Sequence, residues 1–487
     1  MKPRPSSSAN CPSGLRCTRA GLDRPAKVEK YLRYYAEPEV AALDGLPDLP
    51  AWENVMVIPA CNENPCFLRP PPPCGGRSLM ILVINESVNA SRQVTLGNQA
   101  LAAAVQARCT PIWHSTPDPG LSLWQDPRAA RDLLLVDRFS EERQLPAKSG
   151  VGLARKIGAD LAVSLIRSQR ISSAWIHCTD ADVQLPETYF TRSNSLPHTA
   201  SKYSALVYPF MHIDDQGRAE SREVVEATLL YELALRYYVA AMKSARSPYA
   251  FHTIGSTMAV SAVHYSKVRG FPKREAGEDF YLLNKLAKVG TVLELGVGPD
   301  NEVIRIEARR SDRVPFGTGA AVNKITALAD PLGEFQFYDP AVFGLLKCWL
   351  QSLPAIWQSG VAELSDSMFS DRQIGATGHD LQGLLAGLKT MKTERALGHA
   401  FRQSSSLDQF TRQVHTWFDA FRTLKLIHFL RDDHLPSISY AELAAHPVFR
   451  HLLAKDQDLL AFHECLRKNL EMEPITGQRP GFCFDTD

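Results

Sequence analysis

Short, largely apolar runs recur along the N-terminal part of the chain, at 55–58, 79–84, 133–136, 175–178, 206–208 and 292–295, broken only by His177 and Glu294. Continuous runs, unlike alternating ones, describe strands covered on both faces, as in a parallel sheet. Helical patterns fall between several of them. Residues 98–107 are alanine-rich, and Ala154, Ile157, Leu161 and Leu165 mark one face of a helix after Gly152. Strand and helix in alternation leave few architectures open, and the natural one is an α/β fold with a mostly parallel sheet flanked by helices. The proline run at 70–73, followed by Gly75 and Gly76, interrupts the pattern as a surface loop.

A chain of 487 residues exceeds one ordinary core, so about two or three units are expected. Residues 1–50 read as an arm, rich in Ser, Pro and Arg and disordered up to about 26, with a short amphipathic helix at 27–43. Residues 51–325 carry the strand-like runs. From 326 to 487 the texture is helical, with segments at 342–359, 379–391, 407–430 and 456–470. Phe410, Val414, Trp417 and Phe421 recur there at helical spacing, a packing stripe. This region is expected to form an all-α domain.

Basic and acidic residues nearly cancel, 54 against 53, which removes the electrostatic reason to expect a nucleic-acid partner. No apolar run approaches the roughly 18 residues that span a bilayer, and the start lacks an apolar signal core. A cytoplasmic protein without a transmembrane segment is expected. The ten cysteines contain no C-x-x-C pair, and the cluster of Cys61, Cys66 and Cys74 fits no zinc spacing, so reduced thiols are expected.

The run at 175–178 ends in Thr179, Asp180, Ala181 and Asp182. In extended backbone, residues i and i+2 point the same way, so the two carboxylates can converge at the carboxyl end of a strand, where an open α/β sheet keeps its ligands. Hard oxygen donors suit Mg2+ or Mn2+ and, through the ion, nucleotide phosphates. The same letters also describe an Asx turn beside a solvated carboxylate. Pro59, Asn62 and Glu63 follow the first strand and Asn85 and Glu86 the second, where polar groups either reach a ligand or simply end a strand. Lys148 to Gly158 form a basic, glycine-containing helix entry. Its amides, with Lys148, Arg155 or Lys156, can bind phosphate oxygens, or its cations form a solvated face. Glu278 and Asp279 open a later helix, where carboxylates complement exposed amides and an ionised Asp can accept a proton.

Taken in order, the P-A-C-N-E of 59–63, the G-x-A-R-K-x-G of 152–158, the T-D-A-D of 179–182 and the G-E-D-F of 277–280 resemble the family 2 glycosyltransferases of GT-A fold, over roughly 52–320. The resemblance implies that Pro59, Asn62 and Glu63 border a nucleoside, that Asp182 coordinates the divalent ion, and that Asp180 touches the ribose or the ion's shell. Asp279, beside Glu278, would be the catalytic base of an inverting enzyme. Asn85 and Glu86 stand where many relatives carry two aspartates. No histidine follows Asp279 within the α/β region, so a third metal ligand is not named.

The reaction expected is transfer of a hexose from a UDP- or GDP-sugar, with Mn2+ or Mg2+, to a small polar or lipid-linked acceptor. Arg310 or Arg313, in a segment with Gly317 and Gly319, offers bidentate contacts to the donor diphosphate from a mobile loop, although an interdomain linker has the same composition. His252 is a candidate for the acceptor pocket, or a packed histidine. The helical region would shape the acceptor side or build a homodimer. Two rivals remain: a sugar-1-phosphate nucleotidyltransferase, which wants a glycine-rich loop that 59–65 does not offer, and a non-catalytic nucleotide-sugar sensor or scaffold.

Overall fold

A computed structural model of the chain describes residues 25–68, 76–117, 120–196, 202–214, 222–298, 302–311, 317–360, 363–365, 368–369 and 378–446. The proline run at 70–73, Cys74, Arg313, the helix expected at 456–470 and nearly all of the stretch expected to be disordered lie outside them.

After α1 (Pro25–Tyr34) and a 3-10 segment (Pro38–Gly45) come β1 (Asn54–Ala60), β2 (Ser78–Asn85), α2 (Arg92–Arg108), β3 (Thr110–His114), β4 (Leu121–Asp126), β5 (Arg131–Arg138), α3 (Gly150–Arg167) and β6 (Trp175–Cys178). The chain continues through β7 (Val183–Gln184), α4 (Tyr189–Asn194), β8 (Tyr203–Val207), β9 (Phe210–Ile213), α5 (Arg222–Ser244), β10 (Met258–Ser261), α6 (Ala262–Lys267) and α7 (Glu278–Leu286). Next are β11 (Thr291–Glu294), β12 (Ile304–Glu307), α8 (Thr318–Thr326) and α9 (Pro331–Glu334). The helical end comprises α10 (Pro340–Ser359), α11 (Gly378–Thr390), α12 (Thr393–Arg402), α13 (Leu407–Trp417), α14 (Ala420–Asp433) and α15 (Tyr440–Ala445).

Nine strands form one sheet in the order β11-β8-β10-β6-β1-β2-β5-β4-β3. β6, β1, β2 and β5 run parallel, as do β8 and β11, while β10 lies antiparallel between β6 and β8. The fold is therefore the mixed α/β class expected, a large, mostly parallel sheet flanked by helices and followed by a helical region.

Why the apolar runs are continuous is visible in their side chains. Val55 and Val57 enter one core with Leu79, Ile81, Val83 and residues of α3, α5, α7 and the C-terminal helices. Met56 and Ile58 enter a second core with Met80, Leu82, Ile84, Leu101 and Val105 of α2, and Ile304 and Ile306. Successive residues on a strand face opposite ways, so a sheet covered twice needs apolar side chains at every position. α3 lies close on the sheet. A Cβ at Gly158 would come within 2.4 Å of Val57 Cγ1 and 3.2 Å of Val83 Cγ2.

The helices differ from the sequence pattern in two places. The segment at 407–430 is two helices, because Asp419 caps the second, accepting from the Arg422 amide at 3.1 Å. The break shifts the helical phase: Phe410 and Val414 are buried while Phe421 is half exposed. α5, the longest helix described, carries no clean apolar stripe, because Glu232 and Arg236 are buried in it as an ion pair at 2.6 Å. Periodicity read from apolar residues alone passes over such a helix.

Candidate active site

The strand order reverses at β1. The path from β1 runs through β2 to β5 on one side, whereas β6 returns to its other side. In an open α/β sheet such a switch point leaves a crevice at the carboxyl ends of the two strands. Asn62 and Glu63 lie just past the end of β1, and Thr179 to Asp182 just past the end of β6, where the Thr179 amide donates to Val57 O at 3.2 Å.

Arg155 of α3 ties this edge together. Its guanidinium is buried, with Nη2 2.6 Å from Asp180 Oδ1 and Nε 2.8 Å from Glu278 Oε1. Burial alone would weaken its charge, but Asp180 and then Glu278 overcome that and raise its pKa. Gly255 lets the loop before β10 close over it, since a Cβ there would sit 2.7 Å from Arg155 Nη2. Nη1 is buried with no hydrogen-bond partner among the described residues.

Asp279 is half-buried at the start of α7, next to Glu278, and accepts from the Phe280 amide at 2.7 Å. Burial first, and the adjoining Glu278 carboxylate second, push its pKa from 3.8 up to about 7. Amides of Phe280 and Gly255 and the charge of Arg155 pull the other way without winning.

A second arginine joins the remaining carboxylates. Arg309, two residues past β12, has Nη2 2.7 Å from Asp182 Oδ2 and 3.1 Å from Glu63 Oε1. It is brought there because β12 pairs antiparallel with β7, the short strand that follows Asp182. Arg310 and Arg313, not Arg309, are the arginines expected from the sequence; the available signal for Arg309 is the alternation of Ile304, Arg305, Ile306 and Glu307, which marks a strand just before it. Arg310 is exposed, and Arg313 lies outside the described residues.

The other expected residues are distributed as follows. Pro59 is buried within β1. Asn85 is buried and donates to Ala60 O and Val83 O, both at 3.1 Å. Glu86 is buried and accepts from Thr95 Oγ1 and Asn98 Nδ2 at 3.1 Å. Asn98, which the sequence reading did not single out, also accepts from the Asn62 amide at 2.8 Å, so it fixes the turn after β1. Lys148 is exposed. Lys156 is buried among Tyr31, Tyr35 and Asp160, and the Gly152 amide donates to Arg274 O at 3.0 Å. His252 joins Glu294 at 3.0 Å.

Among the described residues no group of three His, Cys, Asp or Glu side chains converges as a ready-made metal cage. A Mg2+-type site does not need one, because such ions bind through one or two carboxylates and complete their shell with water and substrate phosphates. The Arg309 guanidinium lies between Asp182 and Glu63, which reach it from two loops, so one positive charge is shared between hard oxygen donors.

No protein-family model and no curated protein matches the chain. Among solved structures it is similar to one described as mannosyltransferase PcManGT from Pyrobaculum calidifontis in complex with GDP-Man and Mn2+, at 14% identity and a TM-score of 0.29, over 93% of this chain and 94% of that one.

Proposed function

We propose that the chain is a metal-dependent glycosyltransferase of GT-A type that moves a sugar from a nucleotide diphosphate donor, a UDP- or GDP-sugar, to an acceptor hydroxyl with inversion. One observation carries the reading: Asp180, Asp182, Glu63 and the Glu278–Asp279 pair, distant in sequence, are drawn by Arg155 and Arg309 to the carboxyl edge where the strand order reverses.

Asp182, with Glu63 or Asp180, would hold Mn2+ or Mg2+, which when bound supplies positive charge to the departing diphosphate. Arg155 holds Asp180 in place, and its unpartnered Nη1 offers one further donor. Glu278 spends its carboxylate on Arg155, which makes it a positioning residue. Asp279 is suited to take the acceptor's proton, because a base works best when its pKa lies near the working pH.

Thermal shift with UDP-, GDP- and ADP-sugars plus Mn2+ tests the donor, since a ligand that binds only the folded chain raises Tm by mass action. A rise with one nucleotide class, and its loss in Asp182→Ala, is expected together with slow Mn2+-dependent hydrolysis of that donor. Binding without any turnover, in the presence of a range of sugar and lipid-linked acceptors, would favour a nucleotide-sugar sensor.

A further inference from the structure

A separate cavity opens at the same edge of the sheet, beyond β10, at the carboxyl ends of β8 and β11. About 40 Å3 in volume, it is lined by Tyr208, Phe210, Arg236, Lys243, His252 and Glu294, among others. That space exceeds what one water needs, roughly 10–15 Å3, and suits the hydroxyl-bearing end of a larger molecule.

Its charges cancel locally. Lys243 Nζ lies 2.6 Å from Glu294 Oε2, and Arg236 Nη2 lies 2.6 Å from Glu232 Oε1 while donating to Phe210 O at 2.5 Å. Nothing in this arrangement draws an anion. Burial opposes ionisation of Glu294, but Lys243 and His252 overcome it and hold that carboxyl at about 2. Burial lowers the His252 pKa, and Glu294 only partly restores it.

Those two facts fix the imidazole's tautomer. Glu294 is an acceptor with no proton to give, so the neutral ring must carry its hydrogen on Nδ1, 3.0 Å from Glu294 Oε1. Nε2 is then a bare lone pair. It is buried and has no partner among the described residues. A buried acceptor left unpaired costs free energy, which a hydroxyl donor recovers. The Phe210 ring, 5.2 Å from the imidazole at 78°, is an apolar part of the same cavity's lining.

We propose that this cavity receives a hydroxyl of the acceptor, and that the acceptor is a neutral polyol or sugar which donates its hydrogen bond to His252 Nε2 while its carbons rest against Phe210. The inference rests on the transferase reading, because it names the acceptor's chemistry. The loop that places His252 also places Gly255 against Arg155, which connects the cavity to the candidate active site.

Nitrogen-15 spectra of the histidine side chains in the full chain at pH 7 test it, with glycerol and methyl α-glucoside as probes. His252 Nε2 is expected to appear unprotonated and to shift saturably with at least one probe. His252→Leu should weaken binding of that probe by about tenfold or more, whereas His252→Gln, whose amide oxygen can accept the same hydrogen bond, should restore part of it. A proton on Nε2, or no saturable shift with either probe, overturns the proposal. The unsubstituted chain decides the matter even if a variant fails to fold. Donor thermal shift, run in parallel, separates the two readings: nucleotide-sugar binding with a silent His252 removes only the hydroxyl pocket, and a responsive His252 with no donor binding removes the transferase.

Discussion

Asp279 holds a proton to unusually high pH for a carboxyl, and that has consequences for both rate and stability. Unfolded, it ionises near 3.8; folded, near 7. Its contribution to stability is therefore complete below about pH 4 and is lost as pH rises to about 7, the native state binding more protons throughout that interval. Asp279→Asn, which cannot ionise, should gain in Tm relative to the unsubstituted chain as pH rises from 4 to 7, and level off above. Its transfer rate should drop by about 10²–10⁴-fold, the range for losing a general base. In the unsubstituted enzyme kcat/KM should climb with pH through about 7. A flat profile there would remove Asp279 from the chemistry. Arg309 gives a second test at this scale. Arg309→Ala frees Asp182 and Glu63 of a fixed cation, so Mn2+ affinity of the nucleotide-free chain, followed by loss of the free-ion paramagnetic resonance signal, should increase severalfold. Unchanged affinity would place the ion elsewhere.

At the scale of elements, the contact of α3 with the sheet decides where Arg155 arrives. Gly158→Ala replaces a residue of poor helix propensity with the best one, yet the added Cβ has 2.4 Å to the nearest Val57 methyl. Overpacking should prevail, with a net loss of about 1–3 kcal/mol, measured as a lower urea midpoint at unchanged slope. Stabilisation would show that the helix can rise from β1 without cost. The glycines of the 152–158 motif were legible in the sequence, but as parts of a phosphate-binding helix start. The structure gives them a packing reason: a Cβ at Gly152 would meet the carbonyl oxygens of Pro272 and Arg274 at 2.5 and 2.6 Å. The central strands were legible because both-face burial leaves a local signature. β10, Met258–Ser261, antiparallel between two neighbours, was not singled out.

On the scale of the whole molecule, one apolar core runs from the sheet's α3 side into α10–α15, and the N-terminal helix belongs to it through Val28 and Tyr31. A buried polar network pins that helix. Tyr31 donates to Asp160 Oδ1 at 2.5 Å, Tyr265 donates to the same oxygen at 3.0 Å, and Lys156 Nζ reaches Tyr31 Oη and Asp160 Oδ2 at 2.8 Å. Tyr31→Phe leaves Asp160 and Lys156 each short of a partner, so a loss of about 1–3 kcal/mol in urea unfolding is expected. No loss would mean that the Tyr31 hydroxyl contributes nothing to the fold. By itself the sequence determined the class of fold and the place of Asp180 and Asp182 just past a strand end, because the burial pattern is a local property; the pair itself lies in a turn, each carboxylate on its own arginine. Only the tertiary structure decided which cations hold the carboxylates. Arg155 meets Glu278 across 123 positions and Arg309 meets Glu63 across 246, and strand order brings such distant residues together without the letters near either one naming its partner.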